Sequence, residues 1–368
     1  MEELHEDRTR QRLRTNRSQR IFRLFGWLLG GAILYGQAPC GLAQMTPTRS
    51  GQPTTQKPGG MPGLRTTTDA HNCYPYDGRW NDRIDRALAT GLPVAIEQDL
   101  NWYVPSGGGS PRIVVGHGGP LTGAEPELEH YFFDRIRPVV EAALKNPDHS
   151  QWPVITLNLD FKTEEPEHLR AVRALLERYH AWLSSAPRTA DDRVQPMHVG
   201  PVLVLNGPSE IQQKVFYDEV PIGGQLLTFG AARTDTRQVT AAPNVIESEP
   251  ASNYRRWWNN PWSVVEAEGQ PRTGAWTAAS QKRLHDLVEH AHQQGLWIRF
   301  YTLDGATEEQ QKQNGWFHQY NFPSYAAATE RWRAAIESGV DYLATDQYED
   351  VGRLVRSVRP DMAPGSRP

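Results

Sequence analysis

Cysteine is nearly absent from this 368-residue chain. Cys40 and Cys73 are the only two, too few for a disulfide framework. Long apolar runs are missing as well. No stretch reaches the roughly 20 strongly apolar residues of a membrane-spanning helix, which excludes a polytopic membrane protein. The glycine signatures G-x-G-x-x-G and G-x-x-x-x-G-K-[ST] do not occur, so the usual dinucleotide and nucleoside-triphosphate cradles are excluded. Nothing repeats at solenoid spacing. Aromatic residues, by contrast, are plentiful: 12 Trp, 13 Tyr and 10 Phe supply ample apolar surface to bury, which rules out disorder along the whole length.

After the leading segment negative charge outnumbers positive. Residues 1–43 hold seven Arg, no Lys and four acids, a balance of +3, which leaves −7 for the rest of a chain whose formal net charge is −4. An acidic body argues against broad electrostatic binding to nucleic acid and leaves room for a divalent cation held by carboxylates. The leading segment itself has the layout of an export signal. Seven arginines from Arg8 to Arg23 precede the uncharged run Leu24–Gly36, and Gly41-Leu42-Ala43 offers a cleavage point. Residues 1–43 are therefore expected to send the protein to the periplasm or outside the cell; an uncleaved membrane anchor is the alternative. Residues 44–67, rich in Pro, Thr and Gly, are expected to be a flexible linker, and residues 357–368 a flexible tail.

Between residues 68 and 356 short apolar runs alternate with amphipathic stretches. Strands are expected at Pro93–Ile96, Ile113–Val115, Val154–Leu157, Val202–Leu205, Gly295–Ile298 and Tyr342–Ala344. Helices are expected near 80–90, 126–144, 167–183, 277–294 and 325–338, the last with Ala328, Trp332, Ala335 and Ile336 on one face. Repeated βα units imply a parallel sheet covered by helices. Both a doubly wound sheet and a barrel satisfy that pattern. Several strands, however, end directly in reactive groups: Glu97 and Asp99, His117, Asp160 and Lys162, Asp346. Sites assembled from the carboxyl ends of many strands are what a barrel builds, so the expected fold is α/β, a single (β/α)8 TIM-type barrel. Residues 192–250 are expected to hold at least two further strands, one at Asn244–Glu247, where Glu247 would add another carboxylate to the mouth.

The chemistry-bearing residues fall in four pieces. Ala70-His71-Asn72 opens the folded region. Glu97 and Asp99, two apart on a strand, point to one face. Gly116-His117-Gly118 sets a second imidazole in a tight loop, and Asp160-Phe161-Lys162 places a carboxylate and an ammonium on one face. Converging carboxylates repel each other unless a cation neutralises them, and hard oxygen ligands suit Mg²⁺ or Ca²⁺, whereas zinc sites favour Cys or His. Two imidazoles can serve as general acid and general base near neutral pH. A cation and a Lys both attract negative charge, which points to a phosphate ester.

In order along the chain, AHN, E-x-D, GHGG, LDFK, FYTLDG and GVDYLATD span His71 to Asp346. This set resembles the superfamily of phospholipase C-like phosphodiesterases, which includes glycerophosphodiester phosphodiesterases, bacterial phosphatidylinositol-specific phospholipases C and sphingomyelinase D-type enzymes. The resemblance implies a TIM barrel and metal-assisted cleavage of a small-molecule or lipid phosphodiester. It implies His71 and His117 as the acid/base pair, Glu97, Asp99 and Asp160 as cation ligands, and Lys162 with Asn72 at the phosphate. Tyr301 stands where glycerophosphodiesterases carry Trp in W-T-x-N, and Asp304 where they carry Asn. Asn72 replaces their Arg, which is closer to the phosphatidylinositol- and fungal-type branches. Attack by a neighbouring substrate hydroxyl, giving a cyclic phosphate, and attack by water both remain open.

Other features carry two readings each. Tyr254–Trp262 is either a loop over the mouth that meets a head group or a membrane surface, with Trp257 in the substrate pocket, or a packed insertion. Asp346 belongs either to the mouth or to a helix cap. His285, His290 and His292 are expected on a solvated helix face, because H-E-x-x-H is absent, and Gly107–Ser110 as a flexible loop. The alternative to an active enzyme is a catalytically inactive barrel that binds a lipid head group or glycan. A glycoside hydrolase would need a second carboxylate across a sugar-sized cleft and would leave both His and the Lys without a part. Nucleic acid is not an expected partner, and the oligomeric state is left open.

Overall fold

The computed structural model describes residues 61–76 and 79–359. The expected export segment, residues 44–60 of the expected linker and most of the expected tail lie outside the described residues. Among the described residues, no helix is long and apolar enough to cross a membrane.

Eight parallel strands close into a barrel: β1 (Thr67–Ala70), β2 (Val94–Tyr103), β3 (Ile155–Phe161), β4 (Val202–Asn206), β5 (Phe229–Ala232), β6 (Arg255–Pro261), β7 (Trp297–Tyr301) and β8 (Tyr342–Thr345). Each pairs with the next, and β1 closes the ring by pairing with both β2 and β8. The β-branched runs Val94-Ala95-Ile96, Ile155-Thr156-Leu157 and Val202-Leu203-Val204 are buried throughout, as strands covered on both faces must be. Around them lie α1 (Arg83–Ala89), α2 (Asp134–Lys145), α3 (Pro166–Arg178), α4 (Ala278–Gln293) and α5 (Tyr325–Glu337), close to the spans the sequence periodicity predicts, and α6 (Tyr348–Val358), which it does not. Helix α5 buries Ala328, Trp332, Ala335 and Ile336 on one stripe, and Ser324 caps it by accepting from the Ala327 amide.

Three strands lack the apolar run that would have revealed them. In β1 two threonines supply the β-branched character, and pairing on both sides satisfies the backbone. In β5 the residue that fits is Gly230: a Cβ there would lie 2.4 Å from the Tyr254 ring. Strand β6 reads Arg-Arg-Trp-Trp-Asn-Asn-Pro, and its tryptophans part company because successive strand residues face opposite ways. Trp257 faces the cavity that the strands enclose and donates to the Asn206 carbonyl at 2.9 Å, whereas Trp258 packs in a separate buried cluster with residues of α4 and α5 and donates to Thr234 Oγ1 at 2.8 Å. The Tyr254–Trp262 stretch is therefore neither a mouth loop nor a membrane-facing surface; Trp257, Trp258 and Trp262 are all buried.

Two further expectations are corrected. Ile113–Val115 is part of the strand Arg112–Val115, which pairs antiparallel with the end of β2, with Leu100 opposite Val115 and Tyr103 opposite Arg112. It is the return arm of a hairpin, turned near Gly108 and Gly109 at positive φ, and it carries the chain back to His117. Asn244–Glu247 is not a strand either, because Pro243 starts a helical turn, Pro243–Ile246. Nor do the α4 histidines all face solvent. His290 Nε2 lies 3.0 Å from the buried Glu247 carboxylate, and His292 Nε2 lies 2.9 Å from Asp341. Asp341 also accepts from the Gly63 amide, and Arg65 donates to the Gln151 and Pro153 carbonyls, so the segment just before β1 is tied to the barrel rather than loose.

Helix α3 brings His168 fully into the interior, stacked on Trp102, with Nδ1 donating to the Thr163 carbonyl at 2.9 Å and Nε2 without a partner. Burial pushes its pKa down to about 4 against the weaker pull of that carbonyl. Below the ordinary value of 6.5 the unfolded chain binds a proton that the folded chain refuses. Stability present above that value is therefore lost as pH falls toward 4, by about 3 kcal/mol in all. Urea unfolding at pH 7 and pH 4.5 should show this loss in the natural protein and a smaller one in His168→Gln. Equal losses in the two proteins would refute it.

Candidate active site at the barrel mouth

The carboxyl ends of the strands surround a cavity of about 300 Å³. His71, Asn72, Glu97, His117, Asp160, Lys162, Trp257 and Tyr301 all line it, and fully buried Asp99 lies beside Glu97 and Asp160. Glu247 does not line it; that carboxylate is taken up by His290 on α4, as described above.

Three carboxylates converge because of strand register. Glu97 and Asp99 share a face of β2, and Asp160 on β3 is the direct partner of Asp99. Ligand atoms of Glu97, Asp99 and Asp160 lie within 4.8 Å of one another. Lys162 reaches back over the group, with Nζ 2.7 Å from Asp160 Oδ2 and 3.1 Å from Asp99 Oδ2. Burial pushes the Asp99 carboxyl well above the usual carboxylate range, and the charges of Glu97 and Asp160 add to this. Burial also acts against ionisation of Glu97, but the guanidinium of Arg299, with His71 and Lys162, outweighs it and holds Glu97 at about 2. Neither oxygen of Asp99 has a hydrogen-bond partner, since Lys162 is near enough for charge pairing but not aligned to donate. An unpartnered buried carboxylate is costly unless something else satisfies it. Three converging carboxylates, one buried with neither oxygen hydrogen-bonded and with Oδ1 free of a neighbouring cation, fit a hard divalent cation.

The two histidines have different surroundings. His71 is largely buried in the cavity wall; its carbonyl accepts from Tyr348 Oη at 2.6 Å and from Arg83. Its Nδ1 lies 3.1 Å from Asp346 Oδ1 and 2.8 Å from Asn72 Nδ2, and Nε2 lies 3.8 Å from Glu97 Oε1. Burial works to lower the His71 pKa, but the Glu97 and Asp346 carboxylates outweigh it, and the imidazole is raised to about 9. Asn72, at φ 49°, uses its amide nitrogen on Asp346 at 3.2 Å and its amide oxygen on Tyr74 Oη at 2.7 Å. His117 sits at the open rim with its ring 6.1 Å from that of Phe317. Partial desolvation and the positive charge of Lys162 push its pKa down. Asp346 thus belongs to the mouth, and the residue at the cap position of α6 is Gln347. Behind it, Asp304 accepts from the Asp346 amide and from Thr345 Oγ1, and burial together with the Asp346 charge raises it to about 7.

Arg299 was not among the expected residues. Buried in the barrel interior, it donates from Nε to Asp69, from Nη2 to Glu97 and, at 3.0 Å, from Nη1 to Asn259 Oδ1. One signal could have found it: a lone cation inside the apolar run Trp297-Ile298-Arg299-Phe300, two residues before Tyr301 and so on the same inward face. Tyr320, whose ring meets the edge of His71 at 5.8 Å, ends a single 3₁₀ turn, His318–Tyr320, and left no such signal.

No protein-family model matches the chain, and no curated protein matches it. Among solved structures, a glycerophosphodiester phosphodiesterase from Parabacteroides distasonis is 12% identical, covers 80% of this chain and 97% of its own, and has a TM-score of 0.43. A glycerophosphoryl diester phosphodiesterase from the same organism is 11% identical over 83% of this chain and 88% of its own, with a TM-score of 0.40. A 7,8-dihydropteroate synthase from Vibrio fischeri is likewise 11% identical over 82% of this chain and 96% of its own, with a TM-score of 0.37. At identities and TM-scores this low, none of the three says what this chain does.

Proposed function

We propose that the barrel mouth is a metal-dependent phosphoric diester hydrolase acting on a small-molecule or lipid-head-group phosphodiester. The observation that carries this is the convergence of Glu97, Asp99 and Asp160 around unpartnered buried oxygens, beside one Lys and two His in a single cavity. Glu97, Asp99 and Asp160 would hold the cation, Mg²⁺ or Ca²⁺, and when bound it would offset negative charge on the non-bridging phosphate oxygens. Lys162 attracts the phosphate into the cavity. His117, with no carboxylate hydrogen bond and a cation nearby, is kept neutral and takes the proton from the attacking hydroxyl, whether of the substrate or of water. His71, with a carboxylate at each ring nitrogen, is kept protonated and donates to the leaving oxygen as the P–O bond breaks. Asp346 fixes the His71 ring, and Asn72 and Tyr74 steady that carboxylate and the turn beside it. Trp257 and Tyr301 shape the wall against which the head group lies. Residues 1–43 would export this activity to the periplasm or beyond.

The test is hydrolysis, by the purified full chain, of bis(p-nitrophenyl) phosphate, which only water can attack, and of a p-nitrophenyl phosphodiester whose other alcohol carries a hydroxyl next to the ester. The reading expects turnover with added Mg²⁺ or Ca²⁺ and its loss in chelator. Turnover that persists in chelator, or none under any cation, would overturn it.

A further inference from the structure

We propose that Arg299 and Lys162 tune this site to Mg²⁺ in preference to Ca²⁺, because each claims one oxygen of the carboxylates that would hold the ion. The inference rests on the reading of Glu97, Asp99 and Asp160 as cation ligands given above.

Glu97 Oε2 is already engaged, by Arg299 Nη2 and by Asn158 Nδ2 at 3.4 Å, which leaves Oε1. Asp160 Oδ2 accepts from Lys162 Nζ at 2.7 Å, which leaves Oδ1. The same ammonium lies 3.1 Å from Asp99 Oδ2, so Oδ1 is the oxygen of Asp99 with no cation beside it. Each carboxylate therefore offers one oxygen that neither Arg299 nor Lys162 holds, although the His71 imidazole lies 3.8 Å from that of Glu97. Neither claim is readily surrendered. Arg299 is 2% exposed and is pinned at three points, on Asp69, Glu97 and Asn259. The Lys162 side chain is 22% exposed, and its ammonium is paired at once with Asp160 at 2.7 Å and Asp99 at 3.1 Å.

Ca²⁺ collects six to eight oxygens at about 2.3–2.6 Å and commonly takes carboxylates through both oxygens. Mg²⁺ takes about six at 2.0–2.1 Å, keeps several waters and is content with single-oxygen carboxylates. A face of three single oxygens, none free to turn its second one inward, suits the smaller ion.

The experiment is calorimetric titration of the metal-stripped full chain with Mg²⁺ and with Ca²⁺, which reads binding without reference to activity. The expected result is one Mg²⁺ per chain with Ca²⁺ at least about tenfold weaker, a factor typical of groups that orient a metal ligand. Arg299→Lys keeps the charge but cannot span three partners, so it frees the second oxygen of Glu97, and the preference should narrow about tenfold or reverse. If that variant does not fold, Asn259→Ala, which removes one anchor of Arg299, is read the same way with a smaller shift. One ion per chain with Ca²⁺ equal or preferred would overturn this inference and leave the phosphodiesterase reading standing. An unchanged ratio in a folded variant would overturn the part assigned to Arg299. Binding of neither ion would overturn the cation site itself.

Discussion

His71→Ala should lower phosphodiester cleavage by about 10²–10⁴-fold, and by more on an alkyl ester than on a p-nitrophenyl ester. The difference follows from the role given to this residue. A p-nitrophenolate leaves without help, whereas an alkoxide needs a proton as the P–O bond breaks. His71 is placed to supply it, with Asp346 on one ring nitrogen and Glu97 facing the other. His117→Ala should fall by a similar factor on both esters, because deprotonating the attacking hydroxyl does not depend on what leaves. Steady-state rates of the two variants on the two substrate classes decide the matter. Equal losses for His71→Ala on both esters would remove it from the acid role, and the opposite pattern would exchange the two histidines.

The second large effect concerns stability. Arg331→Ala should cost about 3–5 kcal/mol of unfolding free energy. Arg331 is 1% exposed on α5 and makes a two-pronged contact with Glu266, Nε to Oε2 at 2.9 Å and Nη2 to Oε1 at 2.7 Å. Its guanidinium lies between the rings of Trp276 and Phe322, 5.3 Å from each, and Nη2 also donates to the Gly274 carbonyl. Removing the arginine leaves Glu266 buried, with Trp262 Nε1 at 2.8 Å as its remaining hydrogen-bond partner, and an uncompensated buried charge dominates the cost. Replacing both partners at once, Arg331→Met with Glu266→Leu, should cost less than the single change. Urea unfolding of the three proteins tests this. A loss below about 1 kcal/mol for Arg331→Ala would show that the pair is worth no more than a surface ion pair.

Much of the site was legible because barrel chemistry sits where strands end. An apolar run followed at once by Glu97 and Asp99, or by Asp160 and Lys162, places those groups at the mouth with no knowledge of the rest of the fold. The helices were legible too, since α4 and α5 carry clear stripes. Where the sequence misled, a different constraint governed. Strand β6 is built from arginine, tryptophan and asparagine, so burial there depends on hydrogen bonds inside the barrel that no periodicity announces. The Arg112–Val115 strand has the composition of a barrel strand but is turned back by the glycines of its hairpin. Glu247 and His290 looked like surface or mouth residues, yet they are 43 positions apart in sequence and hydrogen-bonded to each other. Arg299 is the instructive case. Its charge argued for the surface, and its place in the barrel follows from three partners contributed by three other strands: Asp69, Glu97 and Asn259.

The most direct measurement titrates the metal-stripped chain with Mg²⁺ while following bound ion and phosphodiester cleavage together, in the natural protein and in Asp99→Asn. Activity should rise in step with binding and level off at one ion per chain, and Asp99→Asn should lose both, because its unpartnered carboxylate lies among the ion's expected ligands. Full cleavage before any ion is bound, or an Asp99→Asn protein that binds and cleaves like the natural one, would contradict the account.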